Sequence, residues 1–205
     1  YNRGFMTHTV ATQPIELILG SSSPYRRELL ERLRLPFTVV SPKIDETPQL
    51  GETPSETALR LALEKVRYIA QSHPNALIIG ADQVATVEGE QIGKAGGFDK
   101  ALAQLQMMRG KTALFHSALC LFDARNDSYQ LENIVTKTTF RDLPDEELAA
   151  YLRIEQPYDC AGSAKVEALG ITILEKVESD DPTALIGLPL IALTGMLRQA
   201  SVKLY

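Results

Sequence analysis

The chain has no tryptophan and only two cysteines among its 205 residues, and its lysines and arginines never gather into a run. Two cysteines cannot build a disulfide framework or a four-ligand zinc site. Cys120, inside the apolar stretch from Ser117 to Phe122, reads as a small buried hydrophobe. With a net charge of −5 and no basic stripe, the chain lacks the surface that supplies most nucleic-acid affinity, so no nucleic-acid partner is expected. A small anion stays open to it, because a local basic pocket can sit on an acidic protein. No apolar run approaches the ~20 residues that cross a bilayer, so no membrane partner is expected either. Tyr1 to Gln13 lack the apolar centre of a signal peptide. We read residues 1–13 as an extension that is disordered or not native to the protein, with Met6 as the natural start. One domain then spans 14–205, and the cytoplasm is the expected compartment.

What is present is an ordinary globular composition, 44% apolar and 23% charged, which excludes disorder and coiled coil. The length suits one domain, with room for a lobe. Glu16 to Leu19 reads as a strand that stops at Gly20-Ser21-Ser22-Ser23. Pro24 then opens a helix through Leu33, with Ser23 as its N-cap. Phe37 to Val40 reads as a second strand, and Ser41 to Gly51 as a loop. Thr53-Pro54-Ser55-Glu56 has the form of a capping box, followed by the helical stripe Ala58, Leu61, Ala62, Val66 and Ile69.

Ala76 to Ala81 reads as a buried strand, interrupted by Asp82-Gln83 and followed by another, Val84 to Val87. A turn at Glu88-Gly89-Glu90 and a helix from Asp99 to Met108 come next. Thr112 to Asp123 and Tyr129 to Phe140 form a β-hairpin, and Pro144 to Glu147 start a further helix with acids at its positive end. A late strand, Ile171 to Val177, and a closing helix, Pro189 to Gln199, complete an α/β chain with a mixed β-sheet.

Four places carry possible chemistry. A strand that ends in Gly-Ser-Ser-Ser before a helix offers free N–H groups and hydroxyls where the helix dipole is positive, with Arg26 and Arg27 in the first turn. It can seat phosphate, or it can be a capped helix with solvated arginines; the Gly-Lys-Ser/Thr ending of a P-loop is missing. Asp82 follows an apolar strand at its carboxyl end, where open α/β sheets place ligands. An acid there can hold a metal ion, take a proton from water, or merely cap a turn. Asp45 and Glu46, in a Pro-flanked loop, are either extra metal ligands or a solvated pair. Lys65 and Lys94 can reach a phosphate as point charges or lie on the surface. His116, within a strand, reads as structural.

The blocks Ser21-Ser22-Ser23-Pro24-Tyr25-Arg26-Arg27-Glu28-Leu29-Leu30, Asp45-Glu46-Thr47-Pro48, Glu64-Lys65, Gly80-Ala81-Asp82-Gln83-Val84 and Gly93-Lys94, in this order, resemble the Maf family of nucleotide pyrophosphatases. The resemblance continues through Cys160-Ala161-Gly162-Ser163-Ala164-Lys165-Val166-Glu167 and Ile186-Gly187-Leu188-Pro189-Leu190 and covers nearly the whole chain after Glu16. It implies an elongated mixed sheet with helices around a central cleft, often dimeric. It also implies hydrolysis of a nucleoside triphosphate between the α and β phosphates with a divalent cation, Mg²⁺, Mn²⁺ or Co²⁺. Asp82 matches the family's proton acceptor; Ser21, Arg26, Lys65 and Lys94 match its triphosphate contacts; Glu46 is a metal neighbour. Tyr25, Gln83 and Glu167 resemble the branch that acts on 7-methyl-GTP, which carries Trp at the first of these positions; other branches act on dTTP or UTP. The chemistry agrees, because N7-methylation makes guanine cationic, which suits an aromatic face and a carboxylate. Ala95 stands where the family usually has proline, which implies a looser loop around Lys94.

Overall fold

The computed structural model describes residues 15–205, so the expectations for residues 1–13 lie outside it. In chain order the elements are β1 (Leu17–Gly20), α1 (Pro24–Glu31), β2 (Thr38–Val39), α2 (Pro54–Ala70), β3 (Leu77–Val87), β4 (Glu90–Ile92), α3 (Phe98–Met108), β5 (Thr112–Asp123), β6 (Ser128–Phe140), α4 (Asp145–Glu155), β7 (Leu174–Glu178) and α5 (Leu190–Gln199). The strands form one mixed sheet in the order β2-β1-β3-β5-β6-β7, with β4 paired to the far half of β3. β1 runs parallel to β2 and to the first residues of β3, whereas β3, β5, β6 and β7 pair antiparallel in succession. The expected α/β class with a mixed sheet is what the chain adopts.

Local chemistry explains both early helices. The Ser23 side chain accepts from the Arg26 amide at the start of α1, with Pro24 in the first turn. At the start of α2, Thr53 and Glu56 satisfy each other's backbone in a complete capping box. All five residues of the expected α2 stripe are buried. That face lies directly on β3: a Cβ at Gly80 would stand 2.5 Å from both the Ala62 carbonyl oxygen and Val66 Cγ1. A side chain at position 80 would push α2 off the sheet.

Alternation along the strands sends neighbouring residues to opposite faces. Leu17, Leu19, Leu77 and Ile79 pack with α1 and α5, while Ile18 and Ile78 pack with α2. A third core gathers Ala85, Val87, Leu105, Phe115 and Leu152 where α3 and α4 cover the far end of the sheet.

Three sequence expectations need correction. β3 is one strand of 11 residues rather than two separated at Asp82-Gln83. Both polar residues have partners inside the fold, so nothing forces a break. The late strand begins only at Leu174, because Leu169–Ile173 is a 3₁₀ turn. A Cβ at Gly170 would meet the Lys165 backbone at 2.5 Å, and the Gly170 amide donates to the Lys165 carbonyl. β4 was not expected: Glu88 and Gly89, with φ of 50° and 85°, make the two-residue turn that folds Glu90–Ile92 back on β3.

Candidate active site

A cleft of about 290 Å³ opens beside β1 and β3 and is lined by all nine residues singled out from the sequence: Ser21, Tyr25, Arg26, Glu46, Lys65, Asp82, Gln83, Lys94 and Glu167. At its floor, Lys65 Nζ lies 2.6 Å from Asp82 Oδ1 and 2.8 Å from Glu46 Oε1. Lys65 is only 5% exposed and Asp82 7%, whereas Glu46 reaches in from an exposed loop. The place of Asp82 differs from the expected strand end, since it sits inside β3. The parallel ladder with β1 stops at the Gly20–Gly80 pair, however, so Asp82 projects just beyond the end of β1. Its ligand-facing position comes from where its neighbour stops, not from where its own strand stops.

Burial pushes the Asp82 carboxyl above its ordinary value, a rise opposed by the Lys65 charge and hydrogen bond. Glu46 is shifted the other way: burial would raise it, but the Lys65 hydrogen bond and the charges of Lys65, Arg26 and Lys94 together lower it. The two acids therefore differ in basicity although they share one ammonium.

Arg26 leaves α1 toward the same floor. Its Nε donates to the Gly187 carbonyl at 2.8 Å and its Nη1 to Ser21 Oγ at 3.4 Å, while the Ser23 amide donates to the same Ser21 oxygen at 3.1 Å. Lys94 stands at the rim, exposed, with its backbone bridged to Ala161. That bridge and the Gly96 amide bond to the Tyr158 carbonyl at 2.9 Å hold the loop around Ala95, replacing the restraint a proline would give.

Tyr25 and Glu167 also line the cleft. The Tyr25 hydroxyl donates to the Asp159 carboxylate at 3.0 and 3.1 Å, and burial raises its pKa, so it stays a neutral donor. Gln83 Nε2 donates to Ser117 Oγ at 3.0 Å and to the Ala184 and Leu185 carbonyls at 3.1 Å each. With its nitrogen held by protein acceptors, Gln83 is left to offer its oxygen.

The sequence reading missed the strap behind these groups. Asp181, 2% exposed, accepts from the Thr183 amide and hydroxyl with one oxygen, at 3.1 and 2.9 Å. Its other oxygen accepts from the Ile191 and Ala192 amides at 2.7 and 3.2 Å. It thus caps α5 from ten residues upstream and folds a loop whose carbonyls, at 184, 185 and 187, hold Gln83 and Arg26. No short-range capping rule reaches that far. Ser117, Asp159, Cys160 and Lys165 were missed as site neighbours too, although the last two lie within a quoted block. Burial pushes the Cys160 thiol up to about 11, which keeps it protonated.

Asp45 is not brought to the cleft: its carboxylate accepts from the Thr47 amide and hydroxyl at 2.9 and 2.6 Å. His116 lies on β5, its Nδ1 3.1 Å from Asn133 Nδ2, and does not line the cleft. Among the described residues no cluster of three or more His, Cys, Asp or Glu could hold a metal ion, and no helix is long and apolar enough to cross a membrane.

Fold and cleft together define an α/β protein with a polar cleft beside the junction of β1 and β3 in a mixed sheet. The chain belongs to the Maf family: the family model described as Maf-like protein matches residues 16–200. It is 68% identical over 184 residues to a 7-methyl-GTP pyrophosphatase of Cupriavidus metallidurans, covering 90% of this chain and 92% of that protein. Proteins of the same name from Ralstonia nicotianae and Burkholderia thailandensis are 64% and 61% identical. The first comparison covers 92% of this chain and 97% of the relative, the second 98% and 94%. Among solved structures, a HAM1 protein from Coxiella burnetii matches with TM-score 0.43 and 20% identity, over 64% of this chain and 75% of its own.

Proposed function

We propose that this chain hydrolyses 7-methyl-GTP to 7-methyl-GMP and pyrophosphate, the activity stated in the names of its relatives. The observation that carries the reading is the joining of two unlike ends in one cleft. One has Asp82 and Glu46 on Lys65, with Arg26 bonded to Ser21; the other has Tyr25 and Glu167, which line the same cleft. The first suits a triphosphate and the second a cationic purine.

In this reading Ser21, Arg26, Lys65 and Lys94 contact the triphosphate, and Asp82 accepts the proton of the attacking water. The water oxygen bonds to the α-phosphorus, the bridging oxygen leaves with pyrophosphate, and the proton goes to the Asp82 carboxylate. A carboxyl raised by burial is a better base than a free one. The positive groups are in place before charge builds on the phosphoryl oxygens, and that preorganisation supplies most of the rate.

The donor set fits a divalent cation carried in with the substrate. Glu46 and Asp82 converge on one nitrogen, and Mg²⁺ is commonly held by one or two carboxylates with phosphate oxygens and water completing its shell. Mg²⁺, Mn²⁺ or Co²⁺ bound there would neutralise phosphate charge. A cytoplasmic setting suits a nucleoside triphosphate substrate.

The test is pyrophosphate release from 7-methyl-GTP, GTP, dTTP, UTP and CTP with each metal. Preference for 7-methyl-GTP is expected. Preference for dTTP or UTP would keep the chemistry and overturn the roles of Tyr25 and Glu167. Binding without hydrolysis would replace the enzyme with a nucleotide sensor.

A further inference from the structure

The Tyr25 ring, which lines the cleft, already has a cation over its face. Lys165 Nζ lies 5.7 Å from the centroid of the Tyr25 ring, over its face, and 3.4 Å from Glu155 Oε1. Its backbone is fixed independently of that ammonium. The Lys165 amide donates to the Tyr151 hydroxyl at 3.1 Å, and that hydroxyl donates to the Ser163 carbonyl at 2.9 Å. Glu155 is fixed as well, because its second oxygen accepts from the Leu169 amide at 2.9 Å. The lysine ammonium therefore has two anchors at once, an aromatic face and a carboxylate.

We infer that Lys165 is a specificity-tuning residue whose ammonium competes with a positively charged base for the Tyr25 face. This inference rests on the reading of Tyr25 and Glu167 as the base end. An ammonium on the cleft side of the ring occupies the seat of a cationic base. On the opposite side it draws the ring's electron density away and weakens the face. In both cases a cationic base binds less well than it would with the ammonium gone, whereas a neutral base loses little. Glu155 pairs with this ammonium, and two further acids, Asp159 and Glu167, line the cleft. They give the lysine an alternative partner when the base arrives, so displacement costs little. A cation–π contact at this distance, near the outer limit, is a weak restraint that a ligand can overcome.

The experiment compares kcat/KM for 7-methyl-GTP and GTP in the wild type, Lys165→Met and Lys165→Arg. Methionine keeps the length and removes the charge; arginine keeps the charge. The 7-methyl-GTP to GTP ratio should rise about two- to fivefold in Lys165→Met and stay near wild type in Lys165→Arg. A ratio that stays constant or falls in Lys165→Met overturns the inference and makes Lys165 a substrate contact or a bystander. A wild type with no preference for the methylated base refutes the base-end reading itself, which separates that failure from this one. Equilibrium binding of 7-methylguanosine and guanosine to the same three proteins reads the base end without the phosphates, and the same ordering is expected.

Discussion

Lys65 bonds two carboxylates at once, and the consequences fall unequally on them. Asp82 is buried and pushed up; Glu46 is half in water and drawn down. If Asp82 takes the proton, the rate must rise with pH as Asp82 ionises, with the acid limb above the value of about 4 expected for a free aspartate. Lys65→Met removes the lysine charge and hydrogen bond, two of the three influences that lower Asp82, and leaves the Arg26 charge, so in the residual activity that limb should move to higher pH; a limb that stays in place would assign the titration to another group. The sign for stability follows from the same shift. A folded pKa above the unfolded one means that the contribution is fully present below the unfolded value and is lost as pH rises through the folded one. Asp82→Asn keeps the shape and an oxygen for Lys65, so the thermal midpoint should change little. Turnover should drop by about a hundredfold or more, the scale of general-base catalysis. Near-normal turnover in that variant would remove Asp82 from the chemistry. At the base end, Glu167→Gln should lower the preference for 7-methyl-GTP over GTP, measured as a ratio of kcat/KM; an unchanged ratio would exclude the carboxylate from base recognition.

At the scale of elements, β3 brings the site together, through a glycine that makes room and two polar residues that need distant partners. Gly80→Ala would drive a methyl group against the Ala62 carbonyl and Val66, with the α2 backbone as the obstacle. We expect a loss of about 1–3 kcal/mol in chemical denaturation, with lower kcat because α2 carries Lys65. Asp181→Ala strips the cap from α5 and orphans donors on the strap. A loss of about 2–4 kcal/mol is expected, together with weaker base discrimination as Gln83 loses its fixed carbonyls. Unaltered stability would show that the strap holds itself. These elements also mark what was legible in the sequence. α1 and α2 could be read because a Ser-Pro start, a Thr-x-x-Glu box and a 3.6-residue stripe are local signals. β3 was cut in two because Asp82 and Gln83 look like a break until their partners are known. Those partners lie 17 residues away for Asp82 and 34, 101 and 102 residues away for Gln83. The nine residues that line the cleft were singled out through short blocks in a fixed order, whereas Asp181 acts through a strap whose span no local pattern encodes.

For the whole molecule, the cleft matters because separate cores meet at it. Phe115, Ala161 and Ala164 belong to the core under α3 and α4, Ile186 packs against the core of α1 and α5, and all line the same space. Lys65 arrives on α2 from the opposite face of the sheet. A ligand filling the whole cleft therefore touches parts that are otherwise joined mainly through the sheet, and its binding energy adds to the stability of the native state. Hydrolysis would blur the measurement, so Asp82→Asn is the protein to use. At 7-methyl-GTP about a hundredfold above its Kd, linkage gives about 2.7 kcal/mol, which for a domain of this size raises the thermal midpoint by about 5–10 °C. Pyrophosphate or 7-methylguanosine alone reaches one end only, and at equal concentration each should give a smaller shift, because its own Kd is weaker. A shift from pyrophosphate as large as that from the whole nucleotide would place all the binding energy at the charged floor. The Tyr25–Glu167 end would then be a passage that the base occupies without being recognised.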